Sequence, residues 1–356
     1  MLLAAPASAD PARPSLYVEG DNNTFALNNY YNYSFHVSSS NGDLYMRTHT
    51  VHLIYTTNVA NPGVPLVGGI TRSGSAYWNY DGVWAIGNNG HLFQFDATVY
   101  NGTLEFGTWY DQGLPPCGNA VGTPALSGYQ QVMSGVVRCA NGSLAERYLG
   151  TVNGGLQWIW RNLGHPAGVT IVGDPVRGVY PYDMTLAAGS DGNLWRVLNG
   201  VWTDLGHPYM RPVAGIALAQ RSGWVAIITH DVDGLLWEAA SSDGVHFTWS
   251  TLDGNSYCKI GGSPSATFDA AGDLFIYANC TNDTTKMIAR YYRNGIWQWS
   301  PLFQYANPTY GGVHPLSVST AGPKGMTAED SMGGQFTVTL DANGNWQFAD
   351  QWGAPL

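Results

Sequence analysis

One short hairpin recurs along this chain at intervals of about fifty residues, and it limits the folds that the chain can adopt. Its clearest copy, residues 190–208, reads SDGNLWRVLNGVWTDLGHP. Asp-Gly and Asn-Gly pairs between apolar runs are the strongest short-range signal of a β-hairpin, because both turn residues need positive φ. Seven copies are visible, and their marker residues are Gly42, Gly90, Gly142, Gly192, Gly234, Thr285 and Gly333.

A repeat of this length with four short apolar runs per copy predicts an all-β chain, a seven-bladed β-propeller of four-stranded antiparallel blades. In the sixth copy the runs are PSATFD, DLFIYANC, KMIARYY and IWQWSPL. Both terminal copies contain all four runs in the same order, so the ring would close without exchange of a strand. The blades are expected at residues 15–64, 65–116, 117–172, 173–210, 211–257, 258–310 and 311–356.

Large aromatic residues follow the same repeat. Nine of the fourteen tryptophans fall in predicted fourth strands, where we expect them to wedge between neighbouring blades and bury a large area there. These are Trp109, Trp158, Trp160, Trp202, Trp249, Trp297, Trp299, Trp346 and Trp352.

Composition excludes two classes of partner. Charged residues make up 11% of the chain, the net charge is −10, and there are only three lysines. Binding to a phosphate backbone needs clustered Lys and Arg, so a nucleic-acid partner is not expected. No run of 18 apolar residues occurs, so membrane insertion by a helix is not expected either.

The N-terminus and the cysteines favour export. Residues 1–14 read as the tail of a signal peptide or a disordered leader, with Ala7-Ser8-Ala9 in the form that signal peptidase accepts. Cys117 and Cys139 lie in the third repeat, and Cys258 and Cys280 lie at the equivalent positions of the sixth. This match predicts two intrablade disulfides, Cys117–Cys139 and Cys258–Cys280. Four ligands of one metal are the alternative, but no C-x-x-C spacing supports it. A secreted, extracellular or cell-surface protein is therefore expected.

Six N-x-[ST] sequons permit glycosylation. They are at Asn22, Asn32, Asn101, Asn141, Asn279 and Asn282.

The order of the motifs within a repeat resembles a known family. An S/T-P-x-A inner strand, a D-[LV]-x-[VI] second strand, an N-G-x-L-W third strand and a W-x-W-x-x-L-G fourth strand are similar to those of the bacterial fucose-binding propeller lectins and, more distantly, of the tectonins and fungal propeller lectins. The likeness covers residues 15 to 356. Because these motifs are short and architectural, the fold transfers better than the activity.

This resemblance implies a sugar-binding protein with sites in clefts between blades, glycans or glycoproteins as partners, and no cofactor, metal or catalytic residue. The third strands carry the charged and aromatic residues that such sites use. The candidates are Tyr45, Arg47, Glu146, Arg147, Trp195, Arg196, Trp237, Glu238 and Arg290. Position 145 is Ala, position 288 is Ile, and the third strand of the seventh copy, with Gln335 and Thr337, has no Arg or Glu, so only some clefts are expected to bind.

Three other interpretations stay open. The charged third-strand residues can be solvated outer-strand charges that alternate with core residues. The chain can be a structural or surface glycoprotein that mediates protein assembly, including a homo-oligomer, because it combines low charge with many aromatic residues. A sialidase-like glycoside hydrolase is the third, because SSDGVHFTWS at residues 241–250 resembles an Asp-box turn, although no catalytic set is recognisable.

Two histidine-containing motifs complete the candidates. His230, Asp231 and Asp233 in HDVDG suit either a cation-binding corner or, more simply, a turn, which Asp favours. His165 and His207 recur in LGHP segments and are interpreted as loop residues.

Overall fold

The computed structural model describes parts of all seven repeats. The described residues are 15–19, 32–37, 41–49, 54–75, 80–100, 103–129, 132–178, 183–208, 213–252, 259–268, 272–280, 287–293, 296–302, 306–307, 311–312, 318–319, 325–329, 335–340 and 346–350. The predicted leader, residues 1–14, lies outside them.

The first four sheets each contain four consecutive antiparallel strands in chain order. Sheet 1 has β1 to β4, Ser15–Glu19, Asn32–Val37, Leu44–His49 and Ile54–Ala60. Sheet 2 has β5 to β8, Leu66–Ser75, Tyr80–Gly87, Leu92–Tyr100 and Thr103–Gly113. Sheet 3 has β9 to β12, Ala120–Tyr129, Val132–Cys139, Leu144–Val152 and Gly155–Gly164. Sheet 4 has β13 to β16, Val176–Arg177, Thr185–Ala188, Leu194–Leu198 and Val201–Asp204.

Three further four-stranded sheets follow, with one small two-stranded sheet before the last. Sheet 5 has β17 to β20, Val213–Arg221, Trp224–Asp231, Leu236–Ser241 and Thr248–Thr251. Sheet 6 has β21 to β24, Ile260–Phe268, Leu274–Cys280, Met287–Arg293 and Ile296–Leu302. The small sheet has β25 and β26, Ala306–Asn307 and Gly311–Gly312. Sheet 7 has β27 to β30, Val318–Ser319, Gly325–Glu329, Gln335–Leu340 and Trp346–Asp350.

The strand pattern agrees with the class of fold expected from the repeat. Among the described residues all regular elements longer than a turn are strands, and no helix is long and apolar enough to cross a membrane. The prediction of an all-β chain of repeated four-stranded antiparallel sheets is therefore confirmed. The chain divides into two compact units. The first comprises Met1–Asp191 and Trp195–Asp204, and the second comprises Gly192–Leu194 and Leu205–Leu356. Closure of the seven sheets into one ring stays a prediction.

The marker glycines link consecutive repeats as well as forming turns. Each of the five that the structure describes has positive φ, between 70° and 85°. In each case the glycine carbonyl accepts a hydrogen bond of 2.9 to 3.0 Å from a backbone N–H near the boundary with the next repeat. The pairs are Gly42 with Leu66, Gly90 with Ala120, Gly142 with Ile171, Gly192 with Val213, and Gly234 with Ile260.

At four of these five positions, Gly42, Gly90, Gly142 and Gly234, space as well as backbone conformation requires glycine. A Cβ atom at Gly142 would lie 2.6 Å from the Thr170 Cβ, and one at Gly234 would lie 2.8 Å from the Ile260 nitrogen. Real Cβ atoms essentially never approach so closely, so a larger residue would push the next repeat away. The glycine of the Asp-Gly or Asn-Gly signal is therefore a contact point between repeats.

Fourth-strand tryptophans make a second recurring link. Three indole Nε1–H groups donate to a backbone carbonyl at the end of the preceding repeat. The bonds are Trp160 to Gln112 at 2.8 Å, Trp202 to Leu163 at 2.8 Å, and Trp249 to Leu205 at 2.7 Å. The predicted wedge is thus formed by Trp160 between sheets 2 and 3 and by Trp202 between sheets 3 and 4. The Nε1 of Trp109, in sheet 2, is buried without such a partner.

Alternation along β11 decides which neighbour each side chain faces. Leu144 packs with Ala187 and Val197 of sheet 4, whereas Ala145 packs with Trp84 of sheet 2. Because successive side chains point to opposite faces, the next two residues, Glu146 and Arg147, face sheets 4 and 2 respectively.

Candidate functional site

A polar cleft, the Glu146 cleft, lies between sheets 3 and 4 of the first unit. Glu146 on β11 and Arg161 on β12 form its sheet 3 side, and Arg177 at the end of β13 forms its sheet 4 side. Asp183, before β14, and the hairpin tip at residues 197–199 complete the lining. Rigid strands therefore supply most of its charged groups.

The charged side chains of the cleft form one continuous network. The Glu146 Oε1 lies 2.7 Å from the Arg177 Nη2, and the Glu146 Oε2 accepts a 2.9 Å hydrogen bond from the Arg161 Nε. Arg161 Nη2 also contacts the same oxygen. On the other side of the cleft, Arg177 Nη2 lies 3.0 Å from Asp183 Oδ1, and Arg177 Nη1 donates to Thr185 Oγ1 at 3.4 Å.

Burial divides the network into a fixed part and an exposed part. The Glu146 and Arg177 side chains are 3% and 7% exposed, whereas those of Arg161 and Asp183 are 42% and 56% exposed. Burial of an isolated charge costs several kcal/mol, and here each buried charge has an opposite partner. Two carboxylates and two guanidinium groups also balance, so the cleft carries no net charge. The buried Arg177 Nε has no hydrogen-bond partner among the described residues.

An aromatic ring extends the cleft outwards. Tyr148 lies two residues beyond Glu146 on β11, so it shares the face that is directed towards sheet 4. The guanidinium carbon of Arg161 lies 5.2 Å from the centre of the Tyr148 ring, within the range of a cation–π contact. This contact, together with the Glu146 pair, fixes the orientation of the half-exposed Arg161.

The cleft is open because sheet 4 has a shorter outer hairpin than sheet 3. Strands β11 and β12 have nine and ten residues, whereas β15 and β16 have five and four. The turn of the short hairpin is at Asn199 and Gly200, with φ of 52° and 79°. The outer hairpin of sheet 2 is not shortened: its strands β7 and β8 have nine and eleven residues, about the same lengths as β11 and β12 of sheet 3.

The equivalent interface between sheets 2 and 3 is filled. Gln94, 3% exposed, stands four residues after its marker glycine, as Glu146 does. Its Oε1 accepts a 3.0 Å bond from Gln112 Nε2, and Gln112 Oε1 accepts a 3.2 Å bond from Arg147 Nε. Arg147 lies over the Trp160 ring at 5.4 Å. Burial lowers the pKa of Arg147, and the nearby Asp111 opposes that shift.

Among the remaining candidates in the first unit, Tyr45 is half-buried, and its hydroxyl accepts from the Asn41 and Asn58 amides at 3.4 Å. The Trp195 Nε1 donates to the Asp191 carboxylate at 3.2 Å. Arg196 is 7% exposed, and its Nη2 donates to Thr203 Oγ1 at 3.5 Å. The side chain of Arg47 lies outside the described part of the chain.

In the second unit, Trp237 and Glu238 are 5% and 7% exposed. The Trp237 Nε1 donates to Asp231 Oδ2 at 3.1 Å. The Arg290 side chain is not among those that the structure describes. The alternative that the charged third-strand residues are exposed to solvent is therefore wrong for Glu146, Arg196 and Glu238, because all three are buried. Of the seven candidates whose side chains the structure describes, Glu146 is the one that lies in a charged cleft.

The HDVDG segment forms a turn. Asp231 is 1% exposed, and its Oδ1 accepts from the backbone N–H groups of Asp233 and Leu235 at 2.9 and 3.0 Å. The Nδ1 of His230 lies 2.9 Å from the Asp231 carbonyl oxygen. Within the described residues no group of three or more potential metal ligands comes together.

The Asp-box-like segment is also a structural turn. Asp243 Oδ1 accepts from the backbone N–H groups of Val245 and His246 at 2.8 and 2.9 Å. The hydrogen bond from the His246 side chain, followed by these backbone bonds, holds the pKa of Asp243 far below its usual range. A carboxylate used in this way stabilises the β19–β20 hairpin.

One predicted disulfide is present and lies near a sequon. Cys117 and Cys139 are bonded and join the segment before β9 to the end of β10, so the predicted pair within the third repeat is confirmed. Cys258 lies outside the described residues. Asn141 Nδ2 donates to the Cys117 carbonyl at 3.1 Å, and its Oδ1 accepts from the Ser143 N–H at 2.9 Å.

The other sequons lie beyond what the structure describes in side-chain detail. They are Asn22, Asn32, Asn101, Asn279 and Asn282.

Sequence reasoning identified Glu146 but not its three charged partners. Arg161 and Arg177 are not part of a motif that recurs between repeats, so the repeat pattern did not single them out. Asp183 lies outside the strands, just before the short strand β14. The available signal was the length of the fourth repeat, since its shorter hairpin leaves this interface open.

Comparisons with known proteins come from structure alone, because no protein-family profile and no curated protein matches the chain. The structure of BBS1N in complex with ARL6DN is 15% identical, with 96% of this chain and 97% of that chain covered and a TM-score of 0.54. This likeness shows a shared fold.

Two lectin structures are also similar. The SapL1 lectin in complex with α-methyl fucoside is 13% identical over 86% of this chain and 98% of that one, with a TM-score of 0.49. The Aleuria aurantia lectin, a fungal lectin with a six-bladed β-propeller fold, is 12% identical over 76% and 90%, with a TM-score of 0.46. Scores below 0.5 carry no inference about the site of this chain.

Proposed function

We propose that this protein binds glycans and that the Glu146 cleft holds a neutral terminal monosaccharide. The observation that carries the proposal is the Arg161–Glu146–Arg177–Asp183 network at the mouth of an open cleft. Sugar hydroxyls both donate and accept hydrogen bonds, so carboxylate oxygens and guanidinium N–H groups can bind adjacent hydroxyls of one ring. Balanced charges favour a neutral sugar over an acidic one.

Pre-set geometry supports binding in this cleft. Glu146 and Arg177 are buried on strands of two sheets, and Arg161 is fixed between Glu146 and Tyr148. Polar groups that are already ordered lose little further entropy when a ligand binds. The motif resemblance to propeller lectins supports the same class of ligand.

Binding is favoured over hydrolysis. A glycosidase needs one carboxyl group that acts as an acid and a second that acts as a nucleophile or base. In the cleft, both Glu146 oxygens are occupied by guanidinium groups and Asp183 is paired with Arg177. Elsewhere, Asp243 caps a turn. The Cys117–Cys139 disulfide supports a secreted or cell-surface protein, because disulfides persist in oxidising compartments.

The test is a broad glycan array with the folded, oxidised protein, followed by calorimetric titration of the best monosaccharide with and without a chelator. Arg177→Met should abolish binding, since it removes the buried donors and keeps most of the volume. Arg138→Met is the matched control, because Arg138 pairs with Asp174 outside the cleft at 3.5 Å. A silent array from folded protein, or equal binding by both variants, would overturn the proposal and favour protein assembly.

A further inference from the structure

The outer half of the sheet 3 hairpin has no counterpart on sheet 4. Strand β15 ends at Leu198 and β16 begins at Val201, whereas β11 continues to Val152 and β12 begins at Gly155. Among the described residues, no strand of sheet 4 runs beside this outer half. The face that begins at the Glu146 cleft therefore continues outwards as an uncovered ledge.

Strand register identifies the residues of this ledge. Glu146 pairs with Arg161, Tyr148 with Ile159, and Gly150 with Gln157, and all three pairs are on the face directed towards sheet 4. A Cβ at Gly150 would lie 2.6 Å from Ile159 Cδ1 and 2.9 Å from Tyr148 Cε2. The Tyr148 ring and the Ile159 side chain thus lie against the glycine and form the floor of the ledge, with the exposed Gln157 at its outer end.

We infer that this ledge is a second subsite, which binds the next sugar of an oligosaccharide whose terminal residue occupies the Glu146 cleft. The inference rests on the proposed function. The ledge is continuous with the cleft through Arg161, which contacts both Glu146 and Tyr148. An aromatic and aliphatic floor suits the C–H face of a pyranose, and a primary amide can donate to and accept from its hydroxyls. The ligand class is therefore a di- or longer oligosaccharide.

The experiment compares affinities for one ligand series, the best monosaccharide from the array and the di- and trisaccharides that end in it. The disaccharide should bind about 2- to 10-fold more tightly than the monosaccharide, the effect of one added hydrogen bond and contact. Gln157→Ala should reduce this ratio and leave the affinity for the monosaccharide unchanged. Leu156→Ala is the matched control, because Leu156 is 71% exposed and lies next to Gln157 on the opposite face.

Saturation-transfer NMR on the wild-type complex provides a second measurement that needs no variant. Protons of the second sugar should receive magnetisation from the protein. Equal affinities for the disaccharide and the monosaccharide, together with no transfer to the second sugar, would overturn the inference. The proposed function would still stand in that case if the monosaccharide binds. Failure of the whole series to bind would overturn both.

Discussion

Because each marker glycine contacts the next repeat, we predict that adding a single methyl group at Gly142 lowers the free energy of unfolding by an unusually large amount. In Gly142→Ala the new Cβ would lie 2.6 Å from the Thr170 Cβ and 3.2 Å from the Ile171 nitrogen. Gly154 provides the matched control in the same sheet. Its φ of 84° is close to the 80° of Gly142, but no heavy atom beyond Gly154 itself and the two adjacent residues lies within 4 Å of the position that a methyl group there would take.

Both substitutions place alanine in the left-handed region, at a cost of about 1–2 kcal/mol. Gly154→Ala should show this cost alone. Gly142→Ala should add about 1 kcal/mol for the stretched 2.9 Å bond from Ile171 to the glycine carbonyl, together with about 1–3 kcal/mol for the steric displacement. We therefore expect a loss of about 3–6 kcal/mol for Gly142→Ala, roughly 2–4 kcal/mol more than for the control.

Urea unfolding of the oxidised proteins, followed by tryptophan fluorescence, measures this difference through the midpoint and slope of each transition. Circular dichroism should follow the same curve if both probes report one transition. Equal destabilisation by the two variants, within about 0.5 kcal/mol, would refute the view that the marker glycine is a contact point between repeats.

Three further predictions concern stability. Ala60→Gly should stabilise the protein by about 0.5–1 kcal/mol in urea unfolding, because Ala60 has a φ of 65° where the next three repeats have Gly113, Gly164 and Gly206, also with positive φ; no gain would contradict this. Replacement of Cys117 and Cys139 by serine should cost about 3 kcal/mol in the same assay, and a loss below 1 kcal/mol would contradict the role of the disulfide. Burial raises the pKa of Tyr277, so the free energy of unfolding should fall as pH rises above about 10. Tyr277→Phe should flatten that alkaline slope, and parallel pH profiles would exclude this cause.

Local sequence signals were sufficient for the class of fold. The Asn-Gly turn at Asn153 and Gly154 has the two positive φ angles, 51° and 84°, that its residue types indicate. Strand alternation in β11 likewise places Leu144 and Glu146 on one face. These features depend on residues close together in the chain, and a sequence pattern reports them directly.

Contacts between repeats could not be predicted in the same way. The role of Gly142 depends on the distance of Thr170 from its turn, and that distance is set by the packing of sheet 4 against sheet 3. Burial of Glu146 depends equally on Arg177, thirty-one positions further along the chain. A charged residue on a strand has the same sequence pattern whether it is solvated or paired across an interface.

The length of each outer hairpin links the local sequence signals to the contacts between repeats. It can be counted in the sequence, and it decides which interfaces between sheets stay open. In the third repeat the Asn-Gly turn comes at Asn153 after marker Gly142, and in the fourth it comes earlier, at Asn199 after Gly192. A shorter hairpin beside a longer one must leave the outer face of the longer one uncovered, whatever residues it carries. A buried charge at that step has a buried partner on one side and a partner exposed to solvent on the other, which is the arrangement of Glu146 between Arg177 and Arg161. Differences in repeat length, more than conformity to the repeat, therefore locate the candidate site in this chain.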